Sequence, residues 1–416
     1  MKTTIFTFAQ IIMIMSDVNI QDEIYKDHQR IIAEANFAFR RFFIDEIDWN
    51  ERLNAILGPR GVGKTSIMLQ YIKETFGNDE KVLYVSMDDL LVAQNSLLSI
   101  AEYHNLRGGT HLFIDEIHKY ENWSQELKNI NDRYKKIKVT VSGSNMLGIN
   151  QGKADLSRRM VEWQVPGLSL REYINIEIGL NLPVVSLQDI LHNHLDICNE
   201  ILKSVTPTAY FQSYLQHGYY PFYLEGKKNY LKKLNNVLNT TLEVDMTRLL
   251  GVDINKISVL RKLVYILTTQ SPFKPNVSKL SQSLDLDRAT LYKYLHYLED
   301  ASVVNMLWDK GKTYSLLSKP DKLYLHNCNL FYLSQSSVSI GTLRESFFVS
   351  IMSYKYELRL PPQGDFLIDD KYIFEVGGKT KGFGQIANLP DSYVAADDLL
   401  IGSGNTIPLW LFGFVY

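Results

Sequence analysis

Residues Gly58 to Thr65 read GPRGVGKT and fill every fixed position of the phosphate-binding loop pattern G-x-x-x-x-G-K-[ST]. The loop directly follows the apolar run Leu53 to Leu57, and the helix-patterned stretch Thr65 to Phe76 follows it. A strand, a glycine-rich turn and a helix in that order restrict the fold to an α/β unit with a parallel sheet. Glycines at 58, 61 and 63 let the backbone turn tightly and aim successive N–H groups at a phosphate, and the helix dipole favours the same anion. Gly58, Pro59, Arg60, Gly61, Val62, Gly63, Lys64, Thr65 and Ser66 are therefore the expected nucleotide-binding residues, with Lys64 on the β/γ oxygens and the Thr65 hydroxyl on Mg²⁺.

Further apolar runs at Val82 to Val85, His111 to Ile114, Val139 to Val141 and Met160 to Val165 alternate with helix-like stretches, as in a parallel sheet covered on both faces. The run HLFIDE ends in Asp115 and Glu116. That spacing gives Asp115 as the expected Mg²⁺ ligand and Glu116 as the residue that orients or deprotonates the attacking water. The next strand ends Val141-Ser142-Gly143-Ser144-Asn145, where Asn145 or Ser144 is a candidate γ-phosphate sensor. Arg158 and Arg159 precede the fifth strand. Arg159, or its neighbour, is a candidate finger to a neighbouring subunit's site, which makes a homo-oligomer an expected assembly; two solvated arginines are the alternative.

GPRGVGKT, LFIDEIH, the SGSN strand end and LSRRMVEWQVPGLSLREYI together resemble a group of prokaryotic AAA+-type P-loop ATPases, from about Asp48 onward. The resemblance implies ATP and Mg²⁺ as cofactors and an ATPase core followed by a helical lid, a winged helix and a restriction-endonuclease-like domain. The expected fold is α/β: a P-loop parallel sheet with a helical lid, a winged-helix module and a C-terminal α/β domain. The expected segments are 1–47 helical, 48–175 ATPase core, 176–270 lid, 271–318 winged helix and 319–416 nuclease-like and inactive.

In that last segment Glu345, Asp365 and Glu375 are candidates for a second metal site. The usual lysine two residues after the second acid is replaced by Gly377. Lys379 is the nearest lysine, and Gln385 is a further candidate. Residues 277 to 304 give two short helices split by Asp285-Leu286-Asp287, with Arg288, Lys293 and His296 on the second and Leu291, Leu295 and Leu298 as its core stripe. From Ser278 to Asp300 the net charge is −1, which gives little electrostatic support for DNA as a partner. The aromatic segment Tyr214 to Tyr223 reads as packed rather than as a base-stacking platform.

With 44 basic against 46 acidic residues the chain offers no global attraction to nucleic acid or anionic lipid. Two cysteines exclude a disulfide framework and suit a cytoplasmic protein. The first fifteen residues are apolar after one lysine, but Gln10 interrupts them and no small-residue cleavage site follows. A secretory signal is not expected, nor is a membrane span. The reading is an ATP-hydrolysing protein coupling nucleotide state to its C-terminal segments. Its rivals are a nucleotide-dependent binding switch with negligible turnover and an ATP-gated DNA nuclease.

Overall fold

A computed structural model of the chain describes residues 8–145, 156, 158–270, 272, 274–311, 319–334 and 337–416. They fall into two compact units. One contains Gly58 and all that precedes it together with Gly63–Val165; the other contains Pro59–Val62 and Pro166–Tyr416.

In the first unit β1 (Leu53–Leu57), β2 (Val82–Ser86), β3 (His111–Asp115), β4 (Lys138–Gly143) and β5 (Val161–Gln164) form a parallel sheet of order β2-β3-β4-β1-β5. The apolar runs are nearly unbroken because the sheet is covered by helices, among them α1 (Phe8–Glu34), α2 (Lys64–Thr75), α3 (Leu97–Leu106) and α4 (Trp123–Arg133). Leu53, Ala55, Leu57, Leu83, Leu112, Ile114, Val139 and Val141 share its buried core. Polar groups taken into that core are paired. His28 on α1 accepts the Tyr84 N–H at 3.1 Å, and burial pushes its pKa down to about 4, which keeps the imidazole a neutral acceptor. Parallel pairing brings Leu57 beside Gly143 and Ser86 beside Asp115, so these strand ends share one edge of the sheet.

The second unit begins with α5 (Leu170–Ile178), whose start is a reciprocal cap between Ser169 and Glu172. Helices α6 (Leu187–Leu202), α7 (Thr208–His217), α8 (Tyr230–Thr240) and α9 (Ile257–Gln270) follow. A π-helical turn, Thr241–Asp245, continues directly from α8. Next come α10 (Val277–Leu284) and α11 (Arg288–Asp300). Asp285 ends α10 in the left-handed region at φ +51°, and Asp287 caps α11 by accepting the Thr290 N–H at 2.9 Å. The following strand β6 (Val304–Leu307) pairs antiparallel with β7 (Lys322–Leu325), which lies past the expected boundary at 318.

Downstream, α12 (Ile340–Met352) supports a mixed sheet of order β12-β11-β10-β9-β8, and α13 (Leu409–Phe412) follows its last strand. Its members are β8 (Leu358–Arg359), β9 (Phe366–Ile368), β10 (Tyr372–Gly377), β11 (Ser392–Ala396) and β12 (Thr406–Pro408). Asp369 and Asp370, both with φ above zero at +50° and +54°, make the tight turn between the antiparallel β9 and β10. Phe348 on α12 packs on Phe366, Phe374 and Phe412 with ring centroids 5.4, 5.1 and 5.1 Å away. Among the described residues no helix is long and apolar enough to cross a membrane, and Cys198 and Cys328 are buried free thiols.

Candidate nucleotide site

The phosphate loop leaves β1 at Gly58 and enters α2 at Lys64. Gly61 and Gly63 have φ of +88° and +94°, the left-handed region in which a side chain is strained, so the turn requires glycine at both. Lys64 is buried, and its ammonium donates to the Gly58 carbonyl at 2.9 Å, folding back onto the start of the loop.

Thr65 Oγ1 donates to Asp115 Oδ2 at 2.7 Å. Fifty positions of sequence separate the two, and β4 lies between their strands, so the sheet order itself brings them together. Asp115 is 3% exposed and also accepts from Tyr84 Oη at 3.0 Å and from Ser142 Oγ. Burial pushes its carboxyl above the usual range. The Ser142 and Thr65 hydroxyls pull the other way, while the Glu116 charge adds to the rise. Glu116 adopts φ +53°, ψ +41°, an uncommon conformation for a side chain of this size. Its N–H donates to Ser142 Oγ at 3.1 Å, and its carboxylate lies 3.3 Å from the buried His118 Nε2. Strained backbone of this kind is a feature of functional sites. Among these residues the sequence reading missed Tyr84, Ser142 and His118. Ser142 was legible as part of the SGSN strand end and His118 as the end of LFIDEIH; Tyr84 belongs to no motif.

Ser144 is buried and Asn145 half-buried just beyond β4, on the sheet edge that carries Leu57 and Asp115. Arg158 is exposed. The Arg159 guanidinium pairs with Asp132 of α4 at 3.2 Å, so a role between subunits requires breaking that pair.

Arg60 is placed differently from a phosphate ligand. Its Nη2 and Nε donate to the two carboxylate oxygens of Asp245 at 2.7 and 3.1 Å, and Asp245, at the end of the π-helical turn, is 2% exposed. A β-carbon added at Gly61 would stand 3.0 Å from the Phe222 ring. Pro59–Val62 are thus built into the second unit, although Gly58 and Gly63 on either side belong to the first.

The acids of the C-terminal sheet have other partners. Glu345 on α12 is taken by Lys322 and Tyr324, at 2.7 and 2.8 Å. Asp365 accepts the Val376 N–H at 2.8 Å, and Glu375 is 1% exposed. The lysine that reaches them is Lys381 and not Lys379, the lysine nearest in sequence to the strand: its ammonium pairs with Glu375 and lies 3.7 Å from Asp365. A β-carbon at Gly377 would meet the Lys381 stem at 2.7 Å, so the lysine from 381 fills the space that a side chain at 377 would occupy. No group of three or more His, Cys, Asp or Glu able to hold a metal ion occurs among the described residues, and Glu345, Asp365 and Glu375 do not form a three-acid centre. Gln385 is exposed.

In the helix-turn-helix Leu291, Leu295 and Leu298 are buried as expected. His296 is buried too, at 3% exposure, and so is not part of a reading surface; its Asp287-capped helix turns that face inward. Tyr214, Tyr219, Tyr220 and Tyr223 are all packed inside.

The strand order, the glycine turn and the Thr65–Asp115 contact are those of a P-loop α/β domain. Residues 50–174 match the family model described as an AAA domain, and residues 208–333 match a domain of unknown function, DUF8612. The chain is similar to uncharacterized protein MJ1637 of Methanocaldococcus jannaschii, 23% identical over 86% of this chain and 83% of that one. It is also similar to uncharacterized protein MJ1544 of the same organism, 24% identical over 69% of this chain and 63% of the other. A solved Walker-type ATPase of Pyrococcus abyssi is 11% identical, covers 70% of this chain and 93% of its own, and has a TM-score of 0.38.

Proposed function

We propose that the chain hydrolyses ATP with Mg²⁺ and passes the nucleotide state to its second unit. The observation that carries the first part is the meeting of Thr65 and Asp115 at 2.7 Å at the foot of the phosphate loop. Two hard oxygen donors there fit Mg²⁺, and a buried carboxylate held above its usual pKa range is stabilised as an anion by a cation beside it. When bound, the ion neutralises charge on the β and γ oxygens. The loop N–H groups and Lys64 hold the phosphates, Glu116 orients the attacking water and accepts its proton, and Asn145 on the same sheet edge contacts the γ-phosphate. The proposed coupling is supported by the Arg60–Asp245 pair: a loop that closes on phosphate shifts Arg60, and with it a carboxylate in the second unit.

Steady-state phosphate release with Mg²⁺-ATP, wild type beside Glu116→Gln, tests this. Turnover that falls at least about 100-fold in the variant supports hydrolysis. Tight ATP binding without release in the wild type supports the binding switch instead.

A further inference from the structure

The short 3₁₀ turn Ile117–Lys119 follows Glu116 immediately and is fixed at three points. Ile117 is fully buried in the core of the first unit, Lys119 pairs with Asp88, and His118 is buried with 5% exposure. The His118 imidazole faces back along the chain, its Nε2 3.3 Å from Glu116 Oε2. The main chain of Glu116 is held separately, by Ser142. Because its backbone is locked at φ +53°, the direction of its carboxylate depends on side-chain torsions alone, and the imidazole is the group standing against that carboxylate. A long flexible acid has several rotamers, and a misplacement of about 1 Å at a reacting group can cost roughly a hundredfold in rate.

We propose that His118 is the positioning residue of the hydrolytic step, holding the Glu116 carboxylate in the one orientation from which it acts on water. This rests on the hydrolytic reading of the site. Acting through the Glu116 carboxylate, His118 contributes to turnover and not to nucleotide affinity.

The test uses the full-length chain as wild type, His118→Ala, His118→Gln, Glu116→Gln and the Glu116→Gln/His118→Ala double variant. Phosphate release is followed across ATP concentration, and binding of a non-hydrolysable ATP analogue is measured in parallel. The expected result is a fall in kcat of roughly 10- to 100-fold for His118→Ala with KM and analogue affinity unchanged. His118→Gln, which can still present an N–H to the carboxylate, recovers most of the loss. In the Glu116→Gln background His118→Ala has no further effect. Equal losses with and without Glu116, weakened analogue binding, faster turnover, or no recovery by glutamine each overturn the proposal. Undiminished analogue binding also shows that the variants are folded. Absence of turnover in the wild type is a different failure: it removes the hydrolytic reading, and the role of His118 with it.

Discussion

Asp115 and Glu375 are both carboxylates on parallel-paired strands, 3% and 1% exposed, yet the chain compensates them by opposite means. Asp115 is surrounded by hydroxyls, those of Thr65, Tyr84 and Ser142, which stabilise an anion but leave its charge uncancelled. Glu375 is met by the ammonium of Lys381. Burial draws the Lys381 pKa down, but Glu375, Asp365 and Glu345 outweigh it and the lysine stays charged. The first arrangement is open to a cation that arrives with a ligand. The second is closed by one the sequence supplies. A buried acid is thus evidence for a metal or nucleotide centre only after its neighbours have been counted.

The sharpest way to break this contrast is Asp115→Asn. If the uncancelled charge serves catalysis, turnover falls by roughly a thousandfold. Because folding holds this carboxyl above its usual pKa range, removing the charge leaves the melting temperature unchanged or raises it. Loss of both activity and stability would mean that Asp115 is mainly structural.

Lys381→Met is the counterpart. It leaves Glu375 buried without its cation, which costs about 3 kcal/mol, and Glu375→Gln on top of it restores most of that loss. Denaturant midpoints of the single and double variants give the numbers. Stability untouched by Lys381→Met, together with divalent-dependent DNA cleavage by the wild type that is lost in Asp365→Ala, would move this cluster from closed to working and favour the nuclease reading.

The same contrast explains what could be read from sequence. The nucleotide half is a local motif: GPRGVGKT sets glycine conformations, and an apolar strand ending in Asp115-Glu116 needs only sheet order to reach it. Tyr84 and Ser142 were not singled out because their roles arise from adjacency of β2, β3 and β4, which no spacing encodes, while His118 meets Glu116 only through the local 3₁₀ turn after β3. Lys381 was missed for a related reason. The expectation counted along the strand from Glu375, while the loop after β10 folds back and lays a lysine over Gly377. Asp245 lies 185 positions from Arg60 in a helical stretch whose π-turn has no sequence signature, and their pairing is purely tertiary.

That pairing gives an effect of intermediate size. A double-mutant cycle of Arg60→Ala and Asp245→Ala should return a coupling energy of about 2 kcal/mol in stability, since a bidentate pair with one buried partner is among the stronger surface-reaching interactions. If ATP binding works through this pair, the coupling measured with a non-hydrolysable analogue differs from that without it. An identical value in both conditions would leave the pair as a fastening of the loop and nothing more.

The smallest effect belongs to a half-buried acid with neither a lysine nor a hydroxyl cage, whose carboxylate lies 3.9 Å from the His296 Nδ1. Glu299 at the end of α11 accepts the Met306 N–H at 3.0 Å, and burial pushes its pKa up to about 7. Asp300 beside it is raised by burial to about 6. Unfolded, Glu299 gives up its proton near 4.5, so between that pH and about 7 the folded form binds more protons than the unfolded one. Stability of this segment therefore falls as pH rises through the window and is fullest below it. Glu299→Gln keeps the acceptor for Met306 and removes the titration. The expected gain is about 1 to 2 kcal/mol at pH 7.5, reduced from the full linkage value because the side chain is a quarter exposed, and none at pH 4.5. Hydrogen exchange of the α11 amides at the two pH values, after correction for intrinsic exchange, measures it. An equal gain at both would show that the benefit comes from packing and not from a proton held by burial.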